Sequence, residues 1–211
     1  MSDAMTGTVL SINVSPRKTM RKAPVASGEC MVEFDRGFEG DAHAGDWHRQ
    51  VSLLAVESID KMVGMGLSVG PGDFAENITT QGVDLLKLPV GTKIQVGDDV
   101  LLEISQIGKV CHTKCAIFYQ AGDCVMPREG IFAAVRAGGK ICVGDVMQVL
   151  EIGDGACDRT PADYPVPTAE ELGRAIPTRE SAAAADGTSE ADESCAACAK
   201  IDAALKRAEE R

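Results

Sequence analysis

A chain of 211 residues with a formal net charge of −11 is not expected to bind nucleic acid or an anionic membrane surface. Hydrophobic residues make up 45% of the chain and aromatic residues only 4%, so its core must be aliphatic. With no apolar run near the roughly 18 residues of a membrane span and no recognisable secretory signal, we expect a cytoplasmic protein whose eight cysteines stay reduced.

Short apolar runs alternate with polar segments along the first part of the chain. Residues 8–14 and 30–34 are predicted strands, and the basic segment 15–24 between them is a predicted loop or edge segment. Residues 50–56 form either a buried strand or the lead into a helix. Apolar residues at helical spacing, followed by glycines, then predict a helix over 57–65.

The polar, glycine-rich loop at residues 35–50 is the first candidate for function, since such loops often carry binding residues. The spacing of its two histidines is too loose to indicate a metal site. Contact of His43, Arg49 and backbone amides with an anion or cofactor is the better interpretation.

A second polar loop covers residues 69–82 and contains Asp73, Glu76 and Asn77. Asp and Asn are ordinary turn and capping residues, so this cluster has a purely structural interpretation. Its two carboxylates also suit acid–base chemistry, but their three-residue spacing does not decide between the two interpretations.

A short repeat organises the later strands. The sequence KIQVGD at 93–98 returns as KICVGD at 140–145, and an apolar strand follows each copy. Two units of strand, Gly-Asp turn and strand predict a small antiparallel barrel, because closure removes exposed sheet edges.

Between the two copies of the repeat, residues 107–135 concentrate thiols and cations. Nearby positive charge lowers the pKa of a thiol and favours the thiolate, which is the nucleophile and metal ligand. The segment therefore indicates a reactive or ligating site, although small buried thiols also simply pack. Its residues of interest are Cys111, Cys115, Cys124, Lys109, Lys114 and Arg128.

After residue 152 the chain becomes acidic and poor in large apolar residues. We predict one domain over 1–152 and a low-complexity tail over 153–211, with a linker at 153–167 and a terminal helix that carries Cys195 and Cys198. Two thiols at i and i+3 share a helix face but make at best half of a zinc site. An inert tail and a thiol relay both remain open.

Four motifs in this order resemble the MOSC family, named after the C-terminal domain of molybdenum cofactor sulfurase, and in particular its small stand-alone bacterial members. They are GFEGDAHAGDWHRQVSLLAVESI, PGDFAENITT, LPVGTKIQVGDDVLLEISQIGKVCHTKCAI and GDCVMPREGIFAAV. The resemblance implies a mainly β fold with short helices (α+β), a β-barrel resembling the pyruvate kinase barrel domain. It also implies binding of molybdenum cofactor, an anionic pterin dithiolene.

The resemblance places the family's key cysteine at Cys111, which serves related proteins as a molybdenum ligand or a persulfide carrier. It implies sulfuration, maturation or delivery of the cofactor, with the biosynthetic proteins of the cofactor, a cysteine desulfurase or a molybdoenzyme as partners. A non-catalytic carrier and a molybdenum-dependent reductase of N-hydroxylated compounds are the alternatives. With so few residues before the first predicted strand, we expect no pyridoxal-phosphate desulfurase domain in this chain.

From local charge and the resemblance together, we assign Lys109 to the reaction with Cys111. We expect the loops at 39–49 and 72–78 to converge on the cysteine segment. The predicted cofactor-binding residues are His43, Arg49, Asp73, Glu76, Asn77, Cys115, Cys124 and Arg128.

Overall fold

A closed barrel of seven strands forms the centre of the computed structural model, which describes residues 5–109, 116–122 and 124–161. In chain order the strands are β1 (Thr6–Val14), β2 (Ala23–Pro24), β3 (Glu29–Glu33), β4 (Gly37–Phe38), β5 (Val51–Ala55), β6 (Ile78–Gln81), β7 (Lys93–Val96), β8 (Val100–Ile107), β9 (Ile131–Ala137), β10 (Gly139–Cys142) and β11 (Val146–Glu151). The helices are α1 (Val56–Gly64), α2 (Ala116–Ala121) and α3 (Met126–Glu129), with a 3-10 turn at Leu85–Lys87. None of the helices in these ranges has the length and apolar character needed to cross a membrane.

The barrel closes between its first and last strands. Around it the strands follow the order β11, β7, β8, β9, β5, β6 and β1, and β1 pairs with β11 from Thr6 opposite Gln148. All these pairs are antiparallel except β5 with β6, which are parallel and connected through α1. The predicted fold class, a mainly β barrel with short helices, is confirmed.

The two copies of the KIxVGD repeat do not occupy equivalent places. The strand of the first copy, β7, lies in the barrel between β8 and β11. The strand of the second copy, β10, instead pairs with β3 in a separate three-stranded sheet with β4. Both turns use a glycine with positive φ, Gly97 at 59° and Gly144 at 94°. The repeat therefore encodes a turn geometry, while the sheet that each strand joins depends on its partners.

The core is aliphatic, as the composition predicts. Strand β5 is buried along its whole length because it has an apolar layer on each face. On one face Val51 and Leu53 enter the main apolar cluster inside the barrel. On the other, Leu54 packs in a second apolar cluster with Ile59 and Met62 of α1. This double burial explains why the strand has no polar alternation.

Two predicted elements have different bounds in the structure. The polar loop predicted at 69–82 ends early, because β6 begins at Ile78 and its first three residues are buried. The basic segment 15–24 ends in the short strand β2, and its Lys22 is buried. The threonines of β6 and the lysine at position 22 look like exposed loop residues in the sequence. They are buried because of partners that are distant in sequence.

The first nine residues of the predicted linker, 153–161, run along the barrel. Gly153 and Gly155 donate backbone hydrogen bonds to Thr92 Oγ1 and the Val90 carbonyl, at 3.0 Å each, and Cys157 packs against the main apolar cluster. We call these nine residues the strap. Residues 162–211, including the predicted helix with Cys195 and Cys198, lie outside the described residues, and the domain boundary at 152 stays a prediction.

Ionic and polar contacts join the strap to the loop at 35–50. Arg159 forms ion pairs with Asp35 and Asp46, which both belong to this loop. The hydroxyl of Thr160 donates to the Ser105 carbonyl at 2.5 Å. The strap therefore connects the end of the barrel sequence to the loop that carries both described histidines.

We expect a chain that ends at Ile152 to be less stable than one that ends at Pro161. Two backbone hydrogen bonds at about 1 kcal/mol each, with the packing of Cys157, give a loss of roughly 2–3 kcal/mol. For a protein of this size that corresponds to a fall in Tm of about 5–10 °C. Thermal unfolding of both truncated chains and the full chain measures it, and equal Tm values for the two truncated chains would contradict it.

Candidate functional site

The two polar loops meet at one end of the barrel, which we call the rim. Here β1 ends, β6 begins and β8 ends. The loop before β5 reaches the loop before β6 through a hydrogen bond from Asn77 Nδ2 to Asp41 Oδ2 at 3.2 Å. The predicted convergence of these two loops is thus present in the described residues. Their relation to Cys111 stays a prediction, because Cys111 and Cys115 lie outside those residues.

Asp41 is the centre of the polar contacts at the rim. Its Oδ2 lies 2.9 Å from the Lys22 ammonium and accepts a hydrogen bond from the Ser15 amide at 3.1 Å. Its Oδ1 accepts from the His43 amide at 2.8 Å and lies 3.2 Å from His43 Nδ1. The side chains of Lys22 and Asp41 are each only 2% exposed, so this is a buried ion pair with additional donors.

Electrostatics keep the Asp41 carboxyl group ionised. Burial by itself would raise its pKa, but the hydrogen bonds from His43 and the Lys22 charge hold the pKa well below its usual range. Burial lowers the pKa of Lys22, while the Asp41 and Glu76 carboxyl groups oppose that shift. Lys109 also lies close enough for its positive charge to act on Lys22. Lys109 therefore brings a positive charge close to the Lys22–Asp41 pair, whose own charges compensate each other.

Glu76 lies beneath the rim and is fully buried. Its Oε1 accepts from the Gly72 amide at 2.5 Å and from the Thr79 hydroxyl at 2.8 Å. Its Oε2 has no hydrogen-bond partner among the described residues. Burial raises the pKa of this carboxyl group, and the hydrogen bonds to Oε1 oppose the shift. Phe74, buried in the second apolar cluster, anchors the loop that presents it.

Asn77 connects three strands beneath the same loop. Its Oδ1 accepts from the Ser52 amide and hydroxyl at 3.1 and 3.0 Å, and its Nδ2 also donates to the Asn13 carbonyl at 3.2 Å. Together with the hydrogen bond to Asp41, both the oxygen and the nitrogen of the Asn77 side-chain amide are hydrogen-bonded within the protein. Asn77 therefore holds the rim together rather than facing a ligand.

A second chain of hydrogen bonds leads from His48 to the start of the cysteine segment. His48 Nε2 lies 2.7 Å from Gln106 Oε1, and Gln106 Nε2 donates to the Gly108 carbonyl at 2.6 Å. The Gly108 amide donates to the Gly130 carbonyl at 2.7 Å. Burial lowers the pKa of His48, which favours its neutral form, and neutral His48 must carry its proton on Nε2 to donate to Gln106.

Arg49 lies over two aromatic rings near the same end of the barrel. Its guanidinium carbon is 4.6 Å from the centre of the Trp47 ring and 5.8 Å from that of Phe132. The Trp47 indole donates to the His43 carbonyl at 2.8 Å, which fixes the backbone between the two histidines. Stacking of this kind holds a cation in place.

The remaining described candidates are Asp73, Cys124 and Arg128, and the Arg128 backbone lies beside Gly108, because a Cβ on Gly108 would be 3.7 Å from the Arg128 nitrogen. Asp73 is partly exposed, pairs with Arg21 at 2.9 Å and accepts from the Gly70 amide. Cys124 is 6% exposed within the second apolar cluster, which favours packing for its thiol. Arg128 is half-buried in α3. In the described ranges, no group of three His, Cys, Asp or Glu side chains is arranged to hold a metal ion.

Sequence reasoning missed Lys22, Gln106 and Asn13, which the structure places in the rim network. Lys22 stands in a run of basic residues and carries no local sign of burial. Gln106 lies near the end of β8 and is buried. A polar residue within a predicted strand was the one signal in the sequence that could have indicated a buried hydrogen-bonding role.

A family model described as MOSC domain matches residues 40–153. Among solved structures, the YuaD protein from Bacillus subtilis has a TM-score of 0.59 and 18% identity, over 69% of this chain and 96% of that chain. YiiM from Geobacillus stearothermophilus has a TM-score of 0.54 and 22% identity, over 71% and 77%. YiiM from Escherichia coli has a TM-score of 0.53 and 20% identity, over 71% of each chain. No protein with a curated function matches the chain.

We expect Asp41→Asn to remove a pH-dependent part of the stability. Because the pKa of Asp41 is below its unfolded value of about 4, its ionised form stabilises the fold above that pH and this stabilisation is lost on acidification. Urea unfolding between about pH 5 and pH 2 should therefore show a shallower pH dependence in the variant than in the wild type. Asp154→Asn, at an exposed carboxylate, should follow the wild type; identical slopes for all three proteins would contradict the expectation.

Gly108→Ala should disturb the rim much more than a comparable glycine substitution elsewhere. Gly108 has a φ of 72°, and a Cβ there would lie 2.1 Å from the Pro127 carbonyl oxygen. Gly66 has a φ of 91° but open space around its Cβ position, so Gly66→Ala pays only the backbone cost of about 1–2 kcal/mol. The denaturant midpoints of both variants measure the difference, and the expectation fails if Gly108→Ala costs no more than Gly66→Ala.

Proposed function

Because the chain belongs to the MOSC domain family, we propose that it binds molybdenum cofactor and acts in the sulfuration, maturation or delivery of that cofactor in the cytoplasm. The observation that carries the proposal is the match of the family model over residues 40–153, which include all but the first residue of the loop at 39–49 and the whole cysteine segment. A cysteine desulfurase or a molybdoenzyme is the proposed partner.

The described donor set fits an anionic pterin. Arg49 is held over aromatic rings, and Lys109 follows the fixed backbone of Gly108. The negative charge of Asp41 is already compensated by Lys22, so it does not oppose an anion at the rim. The rim therefore presents cationic groups, although the chain as a whole carries a net charge of −11.

In this proposal Arg49, Lys109 and Arg128 hold the anionic parts of the cofactor, and Cys111 supplies the reactive thiol. When bound, the cofactor supplies a soft molybdenum–sulfur centre to which a thiolate is suited. Lys109, two residues before Cys111 in sequence, favours the thiolate by its charge. Its backbone amide donates to the Met126 carbonyl at 3.2 Å, which limits movement at the start of the cysteine segment.

Metal and pterin analysis of the full chain tests cofactor binding. After expression in cells that make the cofactor, the purified wild type should contain molybdenum and pterin in equal amounts. Cys111→Ser should lose most of both, whereas Cys142→Ser, in the three-stranded sheet, should retain them. Retention of both by Cys111→Ser would show that this thiol is not the ligand, and their absence from the wild type would refute cofactor binding.

A second measurement separates sulfuration from simple carriage. The wild type is incubated with a cysteine desulfurase and cysteine, and intact mass spectrometry detects an added sulfur atom. Addition of sulfur to the wild type and to Cys142→Ser, but not to Cys111→Ser, is expected for sulfuration. Cofactor binding without sulfur loading would favour a carrier instead.

A further inference from the structure

We propose that His43 is a proton-transfer residue that acts through Nε2, and that Asp41 and Lys22 are the positioning residues that orient it. The proposal deepens the proposed function, on which it rests for the identity of the reacting thiol. It begins from the contact between His43 Nδ1 and Asp41 Oδ1, which are 3.2 Å apart.

This contact determines which ring nitrogen of neutral His43 carries the proton. An ionised carboxylate accepts hydrogen bonds and donates none, so Nδ1 must be the N–H and Nε2 must carry the lone pair. The His43 side chain is 23% exposed, whereas that of Asp41 is 2% exposed. The carboxylate thus lies on the inner side of the ring, and Nδ1 is engaged by the protein.

Asp41 cannot turn away from His43 easily, because its other oxygen has three donors. Oδ2 receives the Lys22 ammonium, the Ser15 amide and Asn77 Nδ2. The His43 backbone is held as well, since its amide donates to Oδ1 and its carbonyl accepts from Trp47. A base whose orientation is set by a buried group, which is in turn held by others, is the arrangement that acid–base catalysis requires.

The chemistry we assign is reversible transfer of one proton during sulfur transfer between thiols. His43 Nε2 accepts the proton of the reacting thiol, and the resulting thiolate attacks the outer sulfur of a persulfide. The sulfur–sulfur bond of the donor breaks, and the released thiolate takes the proton back from Nε2. The net change is one thiol and one persulfide exchanging a sulfur atom, with no oxidant or reductant consumed.

The orientation is testable without any cofactor by the ring tautomers of the full chain labelled with ¹⁵N-histidine. The protein has only three histidines, and single His→Gln variants assign their signals. At a pH about two units above the ordinary histidine pKa of 6.5, His43 should carry its proton on Nδ1. His48, which donates to Gln106, should carry it on Nε2 and serves as the internal control.

Asp41→Asn should reverse the His43 tautomer. Three donors at the Oδ2 position outweigh the single His43 backbone amide at Oδ1, so the side-chain oxygen stays at Oδ2 and the amide NH₂ faces His43. Nδ1 then becomes the acceptor, and the His43 amide loses its hydrogen bond to residue 41. The reaction of Nε2 with diethyl pyrocarbonate, followed by peptide mass spectrometry, should then slow by roughly tenfold, because this nitrogen has gained a proton. Asp154→Asn should change neither property.

Sulfur loading supplies the functional readout, through His43→Ala with and without added imidazole. The loading rate should fall on the order of a hundredfold, with little change in the KM for the donor, and imidazole should restore part of it. This variant also decides the role of His43 if Asp41→Asn does not fold. Failure of rescue, or a normal rate in His43→Ala, overturns proton transfer by His43.

The outcomes distinguish this inference from the proposed function. An Nε2–H tautomer for His43 in the wild type, or an unchanged tautomer and reactivity in folded Asp41→Asn, overturns the assigned orientation even if the protein binds molybdenum cofactor. If the wild type neither binds cofactor nor loads sulfur, the proposed function fails, and so does the assigned sulfur transfer.

Discussion

Burying the Lys22 ammonium and the Asp41 carboxylate together removes two charges from water, and the folded rim has to compensate for that loss. The compensation comes from two donors distant in sequence, the amide of Ser15 after β1 and Asn77 before β6, and from one local donor, the amide of His43. The Ser15 and Asn77 donors reach Asp41 only when the strands that carry them lie side by side, whereas the His43 amide is a local contact. The ion pair therefore ties the geometry of the functional loops to completion of the fold.

The barrel provides this geometry because strand ends from different parts of the chain meet at one rim. The end of β1 carries Asn13 and Ser15, the start of β6 follows Glu76 and Asn77, and the end of β8 leads to Lys109. The barrel interior between these strand ends is packed with aliphatic side chains, where an unpaired polar group would be costly to bury. Polar side chains therefore collect at the ends of the strands. A network of amides and carboxylates results, in which the described partners satisfy nearly every buried group.

Two histidines from one loop occupy different environments at this rim. His43 contacts a carboxylate that only accepts hydrogen bonds, while His48 meets the amide oxygen of Gln106 with the other ring nitrogen. The strap reinforces this loop from outside, through Arg159 and its partners Asp35 and Asp46. The strap thereby helps to position Asp35 and Asp46, which lie more than a hundred residues before Arg159 in the chain.

The aliphatic barrel and the two polar loops could be predicted from the amino-acid sequence, because apolar periodicity and turn residues act locally and survive in any arrangement of the strands. The sequence also identified His43, Arg49, Glu76 and Asn77 as residues of interest, since polar residues in glycine-rich loops are a local signal. The burial of Lys22 beside Asp41 and the contact of Gln106 with His48 became visible in the folded chain alone. The tertiary structure also shows that Asp73 faces Arg21, that β10 leaves the barrel for β3 and that the strap lies against β8. The reason is physical: burial, ion pairing and strand partners depend on groups tens of residues apart, whose proximity no local pattern encodes.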